Sequence, residues 1–252
     1  MTGVVRFLAA EINVGVHVQK FGLDLDTVWA TAAAVVIVVG IGLYLRSRAT
    51  SGVPGKLQLL WEIVVEAVSR QVEGSIGPRG AAVVPLAVAL FVFILVANWF
   101  SVLGIGSEIE WLGPPTSDIN LTLALAFIVI VPVHIASIRA RGFGGYVRHY
   151  VAQPFPRALF LANLFINGVE ELAKPVTLAL RLFGNLLSGG LMLALIAALG
   201  VWTIFHVPIG YAFTPVLDLI WKIFDLAIGA IQAFIFALLT ILYFDTAMSE
   251  AH

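Results

Sequence analysis

The chain has 252 residues, of which 60% are hydrophobic and 12% charged, with a mean hydropathy of +1.01 and a net charge of −1. That balance excludes an ordinary soluble domain and a basic nucleic-acid surface, and it describes a polytopic membrane protein. With no cysteine and five scattered histidines lacking H-x-x-x-H spacing, the sequence predicts no disulfide, thiol nucleophile, metal site or cofactor.

Residues 1–26 carry Glu11, Asp24 and Asp26, do not resemble a cleavable signal peptide, and are expected to lie outside as an N-terminal segment, the first membrane helix serving for targeting. Thr27 to Leu45 is an uncharged run closed by Arg46 and Arg48; at about 1.5 Å per residue it just crosses about 30 Å of hydrocarbon. From Pro54 to Gln71, Gln58, Glu62, Glu66 and Arg70 recur at i+4 opposite Leu59, Leu60, Ile63, Val64 and Val68. That stripe predicts an amphipathic helix in the interface, within 54–76, ended by Gly74 and Gly77. A second crossing follows from Pro85 to Leu103, interrupted mainly by Asn98, and a third from Asp118 to Ile138, bent at Pro132. The last third holds two longer segments, Leu159 to Leu199 and Pro215 to Phe244. The first must be strongly tilted or broken near Pro175, and 159–248 is expected to form a tilted antiparallel hairpin. The fold class is therefore all-α polytopic, with five crossings and one interfacial helix in one membrane domain.

Arg139, Arg141, Arg148 and Arg157 follow the third crossing, whereas 104–117 and 200–214 contain neither Lys nor Arg. By the positive-inside rule 46–80 and 139–157 are cytoplasmic, which puts the N-terminus outside and the C-terminus in the cytoplasm.

Most polar residues of the long segments fall on two stripes. Glu170, Lys174, Thr177, Arg181, Asn185 and Ser188 follow at steps of three or four, as do Asp218, Lys222, Asp225, Gly229 and Gln232. Facing one another or a water-filled cleft, such stripes can relay protons; facing lipid each is costly. Arg181 is the anomaly, flanked by Leu178, Ala179, Leu180, Leu182 and Phe183, and unable to escape by losing its proton. One reading is a structural ion pair with an acid such as Asp225. The other is a charge whose carboxylate arrives from another subunit and leaves again. Gly184, Ser188, Gly189 and Gly190, and Gly229, Ala233 and Ala237, permit close packing, of the hairpin itself or of a partner. His134 reads as a satisfied packing histidine; His17, His149 and His206 fall in expected loops or termini, and Glu108 and Glu110 in a solvated outer loop.

R-L-F-G-N at Arg181 to Asn185, preceded by E-E-L-A-K-P at Glu170 to Pro175, resembles subunit a of the F-type ATP synthases. S-D-I-N at Ser117 to Asn120 and Q-A-F-I-F-A-L-L-T-I-L-Y-F at Gln232 to Phe244 extend the resemblance over most of the chain, and V-P-G-K-L-Q at Val53 to Gln58 looks actinobacterial. The resemblance implies a non-catalytic stator subunit in a bacterial plasma membrane, bordering a ring of c subunits, held by b-type peripheral-stalk subunits among the remaining F1Fo subunits, and bathed in membrane lipid. It implies that Arg181 separates two offset proton half-channels and that Asn185 and Gln232 hold its guanidinium. Glu170, Glu171 and Lys174 then belong to the cytoplasmic half-channel, and Asp118, Asp218 and Asp225 to the outer one, with Ser188 on the Arg181 face. The chain departs from the best-known members, which carry a glutamate at the position of Gly190 and a histidine at that of Asp225, so Asp225 becomes the expected outer relay. An i−3 pair with Lys222 is the structural alternative. A stand-alone channel or ion-coupled transporter, and a non-transporting scaffold, are the competing functions.

Overall fold

The computed structural model describes residues 19–20, 23–50, 52–103, 115–152, 155, 159–200 and 210–249. A two-residue antiparallel ladder, β1 (Gln19–Lys20) and β2 (Leu23–Asp24), pairs Gln19 with Asp24 and Lys20 with Leu23. All else of regular structure is helical: α1 (Leu25–Arg48), α2 (Lys56–Ser75), a 3-10 segment (Pro78–Val83), α3 (Val84–Leu103), a short 3-10 turn (Pro115–Ser117), α4 (Ile119–Ala152), α5 (Phe160–Gly200) and α6 (Gly210–Ser249). Five stretches are long and apolar enough to cross a membrane: Thr27–Arg48, Pro78–Phe100, Ile119–Ala152, Phe160–Ile196 and Phe213–Met248. The protein is an all-α, multi-pass membrane protein with one further helix, α2.

Two compact units divide the chain. One contains Met1–Val38, Phe93–Ile119 and Arg181–Ala233. In it Ala30 and Ala34, one turn apart on α1, let the helix approach α3 closely, and Phe100 fills the seam with Phe93 and Val96 beside it. Asn98, which interrupts the apolar run of α3, is buried; it donates from Nδ2 to the Gly229 carbonyl at 3.2 Å and accepts from Thr116 Oγ1 at 2.8 Å. The amide that looked out of place is therefore paired on both sides, as a polar group in a membrane helix must be.

The other unit contains Val39–Val92, Asn120–Leu180 and Phe234–His252. Here α2 buries Val72 against Ala87 of α3 and Ile241 of α6, with Val68, Ile76 and Val84 around them. Its earlier turns leave Leu57, Leu59, Leu60 and Ile63 exposed, the apolar stripe expected of an interfacial helix. The helix ends where Gly77 takes φ +77°, and Gly80 then crosses so close to Val72 that only glycine fits.

One expectation needs correction. Residues after Ile138 are not a loop: α4 continues to Ala152, so His149 is helical, with non-helical backbone at Gly142 (φ 70°, ψ 162°) and Pro132 inside the helix. Hydropathy marks where hydrocarbon ends, and a helix can continue past that point. Of the two alternatives for α5, a strong tilt or a break near Pro175, the break does not occur: the helix runs unbroken for 41 residues, about 60 Å against about 30 Å of hydrocarbon. The expectations for most of residues 1–26 and for His206, Glu108 and Glu110 lie outside the described residues.

Candidate functional site

In the unit whose share of α5 begins at Arg181, the arginine is exposed on the protein surface and Leu182 after it is buried; Leu178 and Ala179, which precede it on the helix, belong to the other unit and are buried too. Among the described residues no carboxylate forms an ion pair with it. The structural pair with Asp225 is thus absent, and Lys222 pairs instead with Asp218, Nζ to Oδ2 at 3.0 Å. Asp225 stands across from Gly189: a Cβ on that glycine would lie 3.3 Å from Asp225 Oδ1. The Asp225 carboxylate on α6 therefore approaches α5 two turns beyond Arg181, at a point where the glycine leaves room. Asn185 is half-buried, and its carbonyl accepts from the exposed Ser188 hydroxyl at 2.8 Å.

Gln232 is buried, and its Nε2 finds no hydrogen-bond acceptor among the described residues. An orphaned amide donor costs about 1–3 kcal/mol, which makes this group an exception among buried amides. Asp118 is also buried and opens α4; its backbone N–H donates to the Pro115 carbonyl at 3.3 Å. Gly229 is not a general small-residue contact: its Cβ position lies 3.1 Å from Asn98 Cβ, so its smallness serves packing against α3. Gly184 has nothing within 4 Å of its Cβ position, leaving an open notch one turn along from Arg181.

In the other unit the structure gathers a cluster around Glu171. Its Oε1 accepts from Lys174 Nζ at 2.7 Å and from the Tyr150 hydroxyl at 2.9 Å, and its Oε2 lies 3.5 Å from His134 Nε2. Lys174 also approaches Glu170 at 3.3 Å, and the Tyr146 hydroxyl lies 3.1 Å from His134 Nδ1. His134, Tyr150, Glu170, Glu171 and Lys174 line a cavity of about 420 Å³ between α4, α5 and the end of α6. Glu170, Glu171 and Lys174 are together, as their spacing predicts. Their partners on α4, namely His134, Tyr146 and Tyr150, were not foreseen: His134 is satisfied, by Glu171 beside the stripe. The signal available was the spacing of His134, Tyr146 and Tyr150, twelve and four residues apart.

Two amides and an arginine fix this arrangement. Asn163 Nδ2 donates to the carbonyls of Val151 and Phe155 at 2.9 and 2.8 Å and its Oδ1 accepts the Phe155 N–H at 2.9 Å, while Asn167 donates to the Tyr150 carbonyl at 2.8 Å. Arg141 donates to the carbonyls of Thr246 and Ala247 at 3.1 and 3.4 Å, a cation on the C-terminal end of α6 where the helix dipole favours it. Among the described residues no three metal-binding side chains gather. What the chain offers instead is carboxylate, imidazole, phenol and ammonium groups in hydrogen-bond contact, which can pass protons.

Residues 27–245 match the family described as ATP synthase A chain. The chain is 50% identical to a protein named ATP synthase subunit a from Acidothermus cellulolyticus, across 95% of this chain and 84% of that one. Proteins of the same name from Mycobacterium marinum and Shewanella sp. are 46% and 38% identical, covering 96% and 81% of this chain and 95% and 79% of theirs. A family match over most of the length, with close relatives of one name, establishes that the chain belongs to the ATP synthase A chain family.

Proposed function

We propose that this chain is the proton-conducting stator subunit of the Fo sector, bordering a ring of c subunits and working with the other F1Fo subunits, b-type stalk subunits among them. The observation that carries the reading is the exposed Arg181 in an apolar span with no acid of its own chain among the described residues. A guanidinium there costs about 2.5 to 3.5 kcal/mol to insert, and a carboxylate presented by a neighbouring subunit offsets that cost. As each ring carboxylate passes, Arg181 favours its deprotonated form; being untitratable, it cannot itself carry a proton between the two half-channels. Gln232 and Asn185 hold the guanidinium and the arriving carboxylate, which gives the orphaned Gln232 amide its acceptor.

The cluster of Glu170, Glu171 and Lys174 forms the cytoplasmic half-channel. Asp118, Asp218 and Asp225 serve the outer one, with Asp225 as principal relay and Ser188 on the Arg181 face. The N-terminus lies outside and the C-terminus in the cytoplasm of a bacterial plasma membrane, the orientation that the Arg-rich 139–157 segment favours. Because each proton carries about 2.3 kcal/mol per 100 mV, a leak past Arg181 would waste that work.

The test is ATP-driven acidification of vesicles holding the assembled complex. Arg181→Ala is expected to abolish pumping while leaving subunit assembly intact; pumping at the wild-type rate would overturn the reading.

A further inference from the structure

Where α3 begins, α4 passes Arg139 and α6 ends, a second cavity of about 710 Å³ opens to the surface. Arg79 and Arg139 stand on its wall, both exposed, and no acidic side chain lines it. Among the described residues neither arginine has a carboxylate partner. The remaining wall is apolar, with Leu86, Pro132, Phe244 and Met248 prominent. Its level in the membrane follows from the spans: Arg79 lies in the first turn of Pro78–Phe100, and Met248 is the last residue of Phe213–Met248. Leu86 and Pro132 lie about two turns, roughly 10 Å, deeper than the two arginines. The cavity is therefore cationic at headgroup depth and apolar at acyl-chain depth.

We propose that this cavity binds one anionic phospholipid, its phosphate between Arg79 and Arg139 and an acyl chain running along Leu86, Pro132 and Phe244. Two guanidinium groups suit a phosphate better than two ammonium groups would, because each presents a fixed fork of donors to its oxygens. Basic pockets between membrane helices recognise anionic headgroups by this combination of charge and apolar floor. The site lies apart from Arg181 and stands whether or not the proton path runs as proposed.

The test uses the assembled complex, stripped of lipid in detergent and titrated with dioleoyl phosphatidylglycerol or dioleoyl phosphatidylcholine, bound lipid being counted by native mass spectrometry. At about 1 kcal/mol per arginine, Arg79→Gln/Arg139→Gln is expected to weaken the tightest phosphatidylglycerol site about 30-fold. Phosphatidylcholine uptake should not change. Ile135 also lines the cavity and is 44% exposed, so Ile135→Trp fills the apolar floor without touching either charge. It too should lose one phosphatidylglycerol per complex. Equal phosphatidylglycerol binding by wild type and the arginine variant overturns the proposal. So does loss in the arginine variant with full retention in Ile135→Trp, which would leave only a surface ion contact, and so does full displacement of the lipid by inorganic phosphate.

Discussion

Asn98 and Gly229 meet with the amide of one 3.2 Å from the carbonyl of the other, and a Cβ on the glycine would lie in tight contact with Asn98 Cβ. This contact locks α3 to α6 one turn from both Asp225 and Gln232. Gly229→Ala places a Cβ 3.1 Å from Asn98 Cβ and is expected to cost about 1–3 kcal/mol by overpacking. Asn98→Gly loses the hydrogen bonds and also removes the opposing Cβ, so the double variant should be less destabilised than the sum of the two singles. Thermal release of the subunit from the assembled complex measures this; strict additivity would mean that the two residues do not act on one another.

Glu171 holds three side chains at once, and removing its charge should be felt both in stability and in transport. Glu171→Gln leaves Lys174 with Glu170 alone and weakens two charge-assisted hydrogen bonds, an expected loss of about 1.5–3 kcal/mol. Tyr150→Phe removes one bond and should cost about 1 kcal/mol. If the cluster is the cytoplasmic half-channel, ATP-driven pumping should slow in Glu171→Gln well beyond Tyr150→Phe at matched assembly. Similar rates in both variants would reduce the cluster to a structural one.

The spans and the anomalous arginine were legible because each is a property of a single stretch: an apolar run of membrane length, and a charge inside one. The amphipathic α2 was legible for the same reason, its i+4 stripe being local. The Glu171 cluster was half legible. Glu170, Glu171 and Lys174 share one helix face, but Tyr150 and His134 reach Glu171 only because α4 continues past the hydrocarbon edge and Asn163 ties its end to the start of α5. Pairings of that kind depend on where two helices cross, which a hydropathy pattern does not encode. Likewise Asn98 was visible as an interruption, while its partners on the Pro115–Ser117 turn and on α6 were not.

Gly77 and Gly80 make different demands three residues apart, and substitutions should separate them. A Cβ at Gly80 would lie 2.6 Å from Val72 Cγ1 and 2.8 Å from Ile76 Cβ, so Gly80→Ala is expected to cost about 1–3 kcal/mol and to be relieved in part by Val72→Ala, which removes the first contact and leaves the second. A Cβ at Gly77 meets nothing within 4 Å, but its φ of +77° makes alanine strained by about 1–2 kcal/mol. Val72→Ala should not relieve that. Thermal midpoints of the four variants decide it, and rescue of Gly77→Ala by Val72→Ala would refute the distinction.

Asp225 carries the outer half of the proposed path, and its surroundings predict an order of effects. Asp218 is paired with Lys222 at 3.0 Å and its side chain is 37% exposed, so Asp218→Asn should cost little stability and slow pumping only slightly. Asp225→Asn removes the expected relay and should slow pumping roughly a hundredfold or more, the low end of what a positioned proton-transfer group contributes. Gly189→Ala brings a Cβ to 3.3 Å from Asp225 Oδ1, displacing the carboxylate by a few tenths of an ångström without removing it, and should fall between the two. Passive proton leak through the stripped Fo sector should follow the same order, because it uses the same outer path without the nucleotide cycle. If Asp218→Asn proves as slow as Asp225→Asn, the outer route runs through the Asp218–Lys222 pair; if neither variant is slow, the α6 acids are structural and the outer path has to be sought along α4 at Asp118.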